Sequence, residues 1–273
     1  MSFTQRLRQV QIKQNSLLCI GLDVDVDKIP THLQSTKNPM LEFNRQIIEA
    51  THDLVCAYKP NLAFYEAMGE RGIITLRETL KLIPKSVLTI GDGKRGDIGN
   101  TAERYAKSLF DDFRFDSVTV NPYLGFDSVE PFLTNPEKGV FILALTSNSG
   151  SKDFQRLMVG TKPLYEKVVH TAKKWNVNQN IGFVVGATHP KELQRIRKII
   201  PDLPILIPGI GKQGGDLKSA IRYGCDKYGQ LAVINASRSI IYASSGKDFA
   251  EAARTEAKKM VEEMRMTIEQ LIK

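Results

Sequence analysis

Eight short apolar runs are spread along the 273 residues: SLLCIGLD, VCAYKPN, VLTIGD, SVTVNP, GVFILAL, IGFVVGA, PILIPG and LAVINAS. Each closes on or near a Gly, Pro, Asn or Asp, and longer helical patterns such as LEFNRQIIEATHDLV, GIITLRETLKLI, NTAERYAKSLFDDF and PKELQRIRKII lie between them. The runs are almost continuously apolar, as parallel strands covered on both faces must be. Strand then helix, repeated eight times, is the pattern of an α/β fold of the (β/α)8 TIM-barrel type. An open doubly wound sheet usually offers GxGxxG after its first strand, whereas the turn here reads GLDVDVD. No linker or shift in composition divides the chain. Residues 1–273 are therefore expected to form a single barrel domain, with an N-terminal helix carrying Phe3, Leu7 and Val10 and a long C-terminal helix over about 247–272.

Composition excludes several classes. Lysine and arginine exceed acids to give a net charge of +8, but they are dispersed among acids, as in ARTEAKKMVEEMR, without a basic run or aromatic ladder. That argues against nucleic acid and suits attraction of small anions. No apolar stretch approaches the roughly 18 residues that span a bilayer, so no membrane partner is expected. Cys19, Cys56 and Cys225 form no CxxC pair, which points away from disulfides and zinc and towards a reducing, cytoplasmic setting. Cys19 and Cys56 read as small core residues. His32, His52, His170 and His189 have no paired spacing and read as neither metal ligands nor catalysts.

The third run ends in alternating charge, IGDGKRGDIGNT, across residues 90–101. In this fold active sites sit at the C-terminal ends of the strands, which gives that charge a purpose. Residues two apart in a strand share a face, so Asp92 and Lys94 can both look into the barrel mouth, with Asp97 at the start of the next helix. The preceding run ends in Tyr58-Lys59-Pro60-Asn61, which brings Lys59 to the same mouth. A solvated charged turn is the plain alternative. Asn121, beside Pro122, either supports the site or merely ends its strand.

A second constellation occupies the loops after the seventh and eighth runs, where TIM barrels often hold phosphate. Pro208 opens a glycine-rich turn, PGIGKQGG, that faces backbone N–H groups and a helix N-terminus towards an anion. Asn235-Ala236-Ser237-Arg238-Ser239 adds a guanidinium suited to bidentate phosphate pairing.

GLDVD, YKPN, GDGKRGDIGNTAERYA, VNPYLG, PGIGKQGGD and NASRS together resemble the orotidine 5'-phosphate decarboxylases, in their longer bacterial subgroup, over about residues 17–243. The resemblance implies cofactor-free decarboxylation of orotidine 5'-monophosphate (OMP) to uridine 5'-monophosphate (UMP), the last step of pyrimidine nucleotide synthesis. It implies a Lys59–Asp92–Lys94–Asp97 network with Lys94 as proton donor and Asp92 against the departing carboxylate. It also implies a homodimer with shared sites, into which Asp97 and Thr101 reach from the partner chain. Asp23 matches a ribose contact, Ser149 a pyrimidine contact, and Gln213 and Arg238 the phosphate grips, although TSNSG around Ser149 aligns in more than one way. Several members carry Gly-Arg where this chain has Ser237-Arg238. Two rivals stay open: a Mg2+-dependent sugar-phosphate decarboxylase or aldolase sharing the DxKxxD pattern, and a non-catalytic nucleotide-binding barrel.

Overall fold

In the computed structural model, which describes residues 1–210 and 215–272, eight parallel strands close into a barrel. They are β1 (Leu18–Leu22), β2 (Ala57–Pro60), β3 (Leu88–Arg95), β4 (Ser117–Val120), β5 (Gly139–Leu145), β6 (Ile181–Val185), β7 (Ile205–Pro208) and β8 (Ala232–Ala236). Every strand pairs with its neighbours in sequence, and β1 meets β8 through Leu18↔Ile234 and Cys19↔Asn235. Each of the eight apolar runs thus supplies one strand, and β1, β2, β4, β6 and β8 are buried along their whole length. Helices cover the outside. Among the described residues no helix is long and apolar enough to cross a membrane.

The two terminal helices do different work. The first, Phe3–Gln14, starts from a capping box in which Ser2 and Gln5 satisfy each other's backbone. It lies under the barrel, where Phe3 and Leu7 join the interior residues Cys19, Cys56, Leu88, Ile90, Phe141 and Val184 in one apolar cluster. Gln11 ties this plug to β8, donating to the Ala232 carbonyl at 2.7 Å and accepting from the Leu231 N–H at 2.9 Å. Phe3 meets Phe141 edge-on at 5.9 Å, and a Cβ on Gly139 would fall 2.4 Å from the Phe3 ring. Glycine at the start of β5 therefore makes room for the plug. Phe3→Ala should cost about 3–5 kcal/mol, the usual range for an aromatic core deletion, read as a lower denaturant midpoint. A midpoint equal to wild type would mean that the helix does not seal the barrel.

The last helix, Phe249–Leu271, buries Phe249, Ala253, Ala257, Val261 and Met264, a stripe at helical spacing. Phe249 stacks on Phe43 of the helix Pro39–Thr51 with ring centroids 4.9 Å apart. All three cysteines are buried and unpaired, and burial pushes the Cys56 and Cys225 thiols up to about 12.

Between β5 and the helix Leu164–Ala172 the chain makes a one-turn 3-10 helix, Ser149–Lys152, and a small antiparallel hairpin pairing Met158 with Pro163.

Candidate active site

Lys59 lies one residue before the end of β2 and Asp92 lies in β3, both at the C-terminal mouth of the barrel. Lys59 Nζ donates to Asp92 Oδ2 at 2.7 Å, and Lys94 Nζ donates to Asp92 Oδ1 at 2.6 Å. Thr119 of β4 supplies a third donor, its Oγ1 lying 2.9 Å from Asp92 Oδ1. Asp23, just past β1, stands 3.8 Å from Lys59 Nζ, with its Oδ1 buried and not hydrogen-bonded. Two ammoniums and two carboxylates thus converge from three neighbouring strand ends.

Burial alone would push the Asp92 carboxyl up, but the adjacent Lys59 and Lys94 ammoniums outweigh it and hold Asp92 well below the usual carboxylate range. Burial likewise disfavours a charged Lys59, whose side chain is 4% exposed, yet Asp92 and Asp23 outweigh that and raise it above its ordinary value. Both groups are ionised at neutral pH.

Simple strand alternation does not describe how Lys94 arrives. The β3–β4 register shifts between Gly91 and Arg95, and Lys94 has φ +45°, a left-handed conformation costly for a side chain. Thr119 holds it there, because Oγ1 accepts from the Lys94 N–H at 3.0 Å while donating to Asp92. Backbone strain at this one residue aims an ammonium into the mouth.

The remaining candidates divide by position. Asp23, Lys59, Asp92, Pro208 and Arg238 line one cavity, together with Asn61, Gly209, Ile210, Asn235, Ser237 and Ser239. Arg238 is exposed and opens the short helix Arg238–Ile241. Ser239 brings a buried hydroxyl with no hydrogen-bond partner. Gly209 has φ +100°, which favours glycine, and bends the chain back so that the Gly215 N–H reaches the Gly209 carbonyl at 3.2 Å. Gln213 lies outside the described residues. Ser237, which departs from the Gly-Arg pattern, has a structural counterpart: its Oγ sits 1.9 Å from where a Cβ on Gly21 would be, so glycine in β1 accommodates the serine.

Asp97, Thr101 and Ser149 stand outside that cavity. Asp97 accepts from the Ile98 N–H at 2.8 Å and, among the described residues, forms no ion pair. Thr101 is exposed on the helix Gly99–Lys107, and Ser149 is exposed on its 3-10 turn. In the same TSNSG stretch it is Ser147 that buries a hydroxyl without a partner, packed where a Cβ on Gly186 would come within 2.1 Å of it. Asn61, Asn235 and Ser239 stand in the strand-end motifs YKPN and NASRS with no role of their own there, Ser147 stands in the TSNSG stretch that aligns in more than one way, and Thr119 belongs to no motif. Asn61 was open to view, following Lys59-Pro60 at a strand end; Thr119 looks like ordinary β-branched filler in SVTVNP.

The model of the orotidine 5'-phosphate decarboxylase / HUMPS family matches residues 16–254. The orotidine 5'-phosphate decarboxylase of Flavobacterium johnsoniae is 52% identical over 265 residues, covering 96% of this chain and 96% of that one. Among solved structures, Leishmania donovani OMP decarboxylase superposes with a TM-score of 0.83 at 39% identity, over 97% of this chain and 100% of that chain. Leishmania donovani UMP synthase gives a TM-score of 0.88 at 40% identity; the match takes in 98% of this chain and 57% of that longer one. With the barrel, the charged mouth and full-length similarity in agreement, the chain belongs to the orotidine 5'-phosphate decarboxylase / HUMPS family.

Proposed function

We propose that this chain decarboxylates OMP to UMP in pyrimidine nucleotide synthesis, without metal or organic cofactor. The observation that carries the reading is the Lys59–Asp92–Lys94 array at the barrel mouth, with Asp23 and Arg238 in the same cavity as Lys59 and Asp92. The bond between the ring and its carboxylate breaks, CO2 leaves, and the electron pair stays on the ring carbon. A preorganised ammonium stabilises that carbanion and then gives it a proton. Lys94 suits the task because its half-exposed ammonium is held at the mouth by Asp92, which lines the cavity. Lys59, buried and paired, orients Asp92. Asp23 fits a ribose hydroxyl, and Ser147 or Ser149 the pyrimidine, with the buried, unsatisfied hydroxyl of Ser147 favouring the former.

The phosphate falls to Arg238, Ser239 and the turn from Pro208; the family resemblance adds Gln213, which lies outside the described residues. Because phosphate does not react, its contacts accelerate the reaction only through binding energy that orients the ring. Arg238→Ala should lower kcat/KM for OMP on the order of a hundredfold, the loss of a charged contact, and leave phosphate-free orotidine unaffected. Equal losses on both substrates would remove Arg238 from the phosphate site.

The working unit on this reading is a homodimer of single-domain chains. Asp97 and Thr101 precede and follow Ile98, exposed at 58%, and the loop after the next strand exposes Tyr123 at 81% and Leu124 at 47%, apolar surface that a second copy would cover while receiving both polar groups. Unpaired thiols suit the reducing cytoplasm. The test is the ultraviolet absorbance of OMP with purified protein in excess chelator. Loss of the OMP signal is expected; turnover that requires added Mg2+ would favour a metal-dependent relative, and binding without turnover a non-catalytic barrel.

A further inference from the structure

The stretch after β5 carries Ser147 and Ser149, and hydrogen bonds from two sides converge on Thr146, the residue that follows the strand. The Thr146 N–H donates to Gln155 Oε1 at 2.8 Å, and Thr146 Oγ1 accepts from Gln155 Nε2 at 2.8 Å while donating to Asn148 Oδ1 at 2.6 Å. From the other side His189, just past β6, brings Nε2 to 3.1 Å from the Thr146 carbonyl. His189 Nδ1 faces Arg156 Nη2 at 3.0 Å, and Arg156 Nη1 pairs with Glu192 at 2.7 Å. A guanidinium can only donate. Nδ1 must therefore accept, which puts the ring proton on Nε2, the tautomer that donates to Thr146. Gln155 is itself anchored, since its carbonyl accepts from the Tyr165 N–H at 2.9 Å.

Gln155 and His189 thereby fix both polar groups of the Thr146 backbone, and Gln155 and Asn148 fix its hydroxyl. The next residue is Ser147, whose hydroxyl is buried without a partner against Gly186. Leaving a buried hydroxyl unsatisfied is costly unless a ligand completes it. We propose that Gln155 and His189 are positioning residues: by holding Thr146 they present the Ser147 hydroxyl to the pyrimidine ring of the nucleotide. This rests on the decarboxylase reading and on Ser147 as its ring contact. The stretch after β5 then acts as a brace that sets how firmly the base is held, leaving the phosphate end alone.

The test measures affinity for UMP and for ribose 5-phosphate, which lacks the base, in His189→Leu, Gln155→Leu, His189→Gln and Ser147→Ala. Each Leu variant should weaken UMP binding about tenfold, the upper range for a lost hydrogen bond, with ribose 5-phosphate unchanged. His189→Gln should restore most of the affinity, because its amide can donate to Thr146 while its oxygen accepts from Arg156. In a Ser147→Ala background, His189→Leu should have no further effect on UMP, since its influence passes through Ser147. UMP affinity unchanged in both Leu variants, equal losses for the two ligands, or additive losses with Ser147→Ala would each overturn the proposal. Should His189→Leu fail to fold, Gln155→Leu on the opposite side of Thr146 carries the same comparison. Absence of OMP turnover in the wild-type protein is a separate outcome that sinks the decarboxylase reading itself.

Discussion

Lys94→Ala should abolish decarboxylation while leaving the barrel folded. On the proposed mechanism the substitution removes both the proton donor and the charge facing the carbanion, so kcat should fall by about 10^4-fold or more, combining general-acid and electrostatic contributions. Stability should change little, because the Lys94 side chain is 45% exposed and Asp92 keeps Lys59 and Thr119 as donors. Lys94→Gly should be equally inactive and at least as stable as Lys94→Ala, since glycine adopts φ +45° without strain. Steady-state turnover and thermal melts of the two variants check this. A Lys94→Ala enzyme within tenfold of wild-type kcat would rule out Lys94 as the donor.

Asp92→Asn should damage stability as well as activity. It strands Lys59, buried in the mouth, with only Asp23 at 3.8 Å to offset its charge, and breaking a buried pair in this way costs about 3–5 kcal/mol. The pH dependence has a definite sign. In the wild type Lys59 is raised, so its stabilising contribution is complete below the unfolded lysine value of about 10.4 and is lost only as pH climbs through the still higher folded value. Without Asp92 the opposing effect of burial dominates. Folded Lys59 then sheds its proton before unfolded Lys59 does, and the stability deficit should shrink as pH rises from 7 to 10. Urea unfolding across that range measures it. A deficit below about 1 kcal/mol at neutral pH would mean that a neutral amide replaces the carboxylate adequately.

The barrel was legible because its strands are buried on both faces and therefore written as apolar runs, which no exposed strand would be. The plug beneath it was legible only as a helix: the spacing of Phe3 and Leu7 predicts an apolar face, but not that Gly139 clears a place for it. Short pieces escaped, among them the helix Leu62–Glu66 and the hairpin around Met158, since runs of two to five residues carry no period to read. At the mouth, Asp92 and Lys94 do meet, though through a register shift and a left-handed residue rather than strand alternation. Thr119 enables that geometry across 25 residues of sequence, a pairing that depends on strand register and leaves no local mark. Ser147 and Ser149 differ by two positions and cannot be separated by composition; burial against Gly186 distinguishes them.

A site built from two chains makes one demand that no single-chain site makes. Lys94→Ala and Asp97→Ala, each expected to be inactive alone, are mixed in equal amounts and allowed to exchange subunits, so that about half of the proposed dimers become hybrids by random pairing. In a hybrid, the site on the Asp97→Ala chain keeps its own Lys94 and borrows an intact Asp97, while the other site lacks both groups. OMP turnover should rise from near zero to roughly a quarter of the wild-type rate, given equal exchange and independent sites. If hybrids are seen by native mass spectrometry and the mixture stays inactive, Asp97 does not serve its partner's Lys94 and the shared decarboxylase site is wrong.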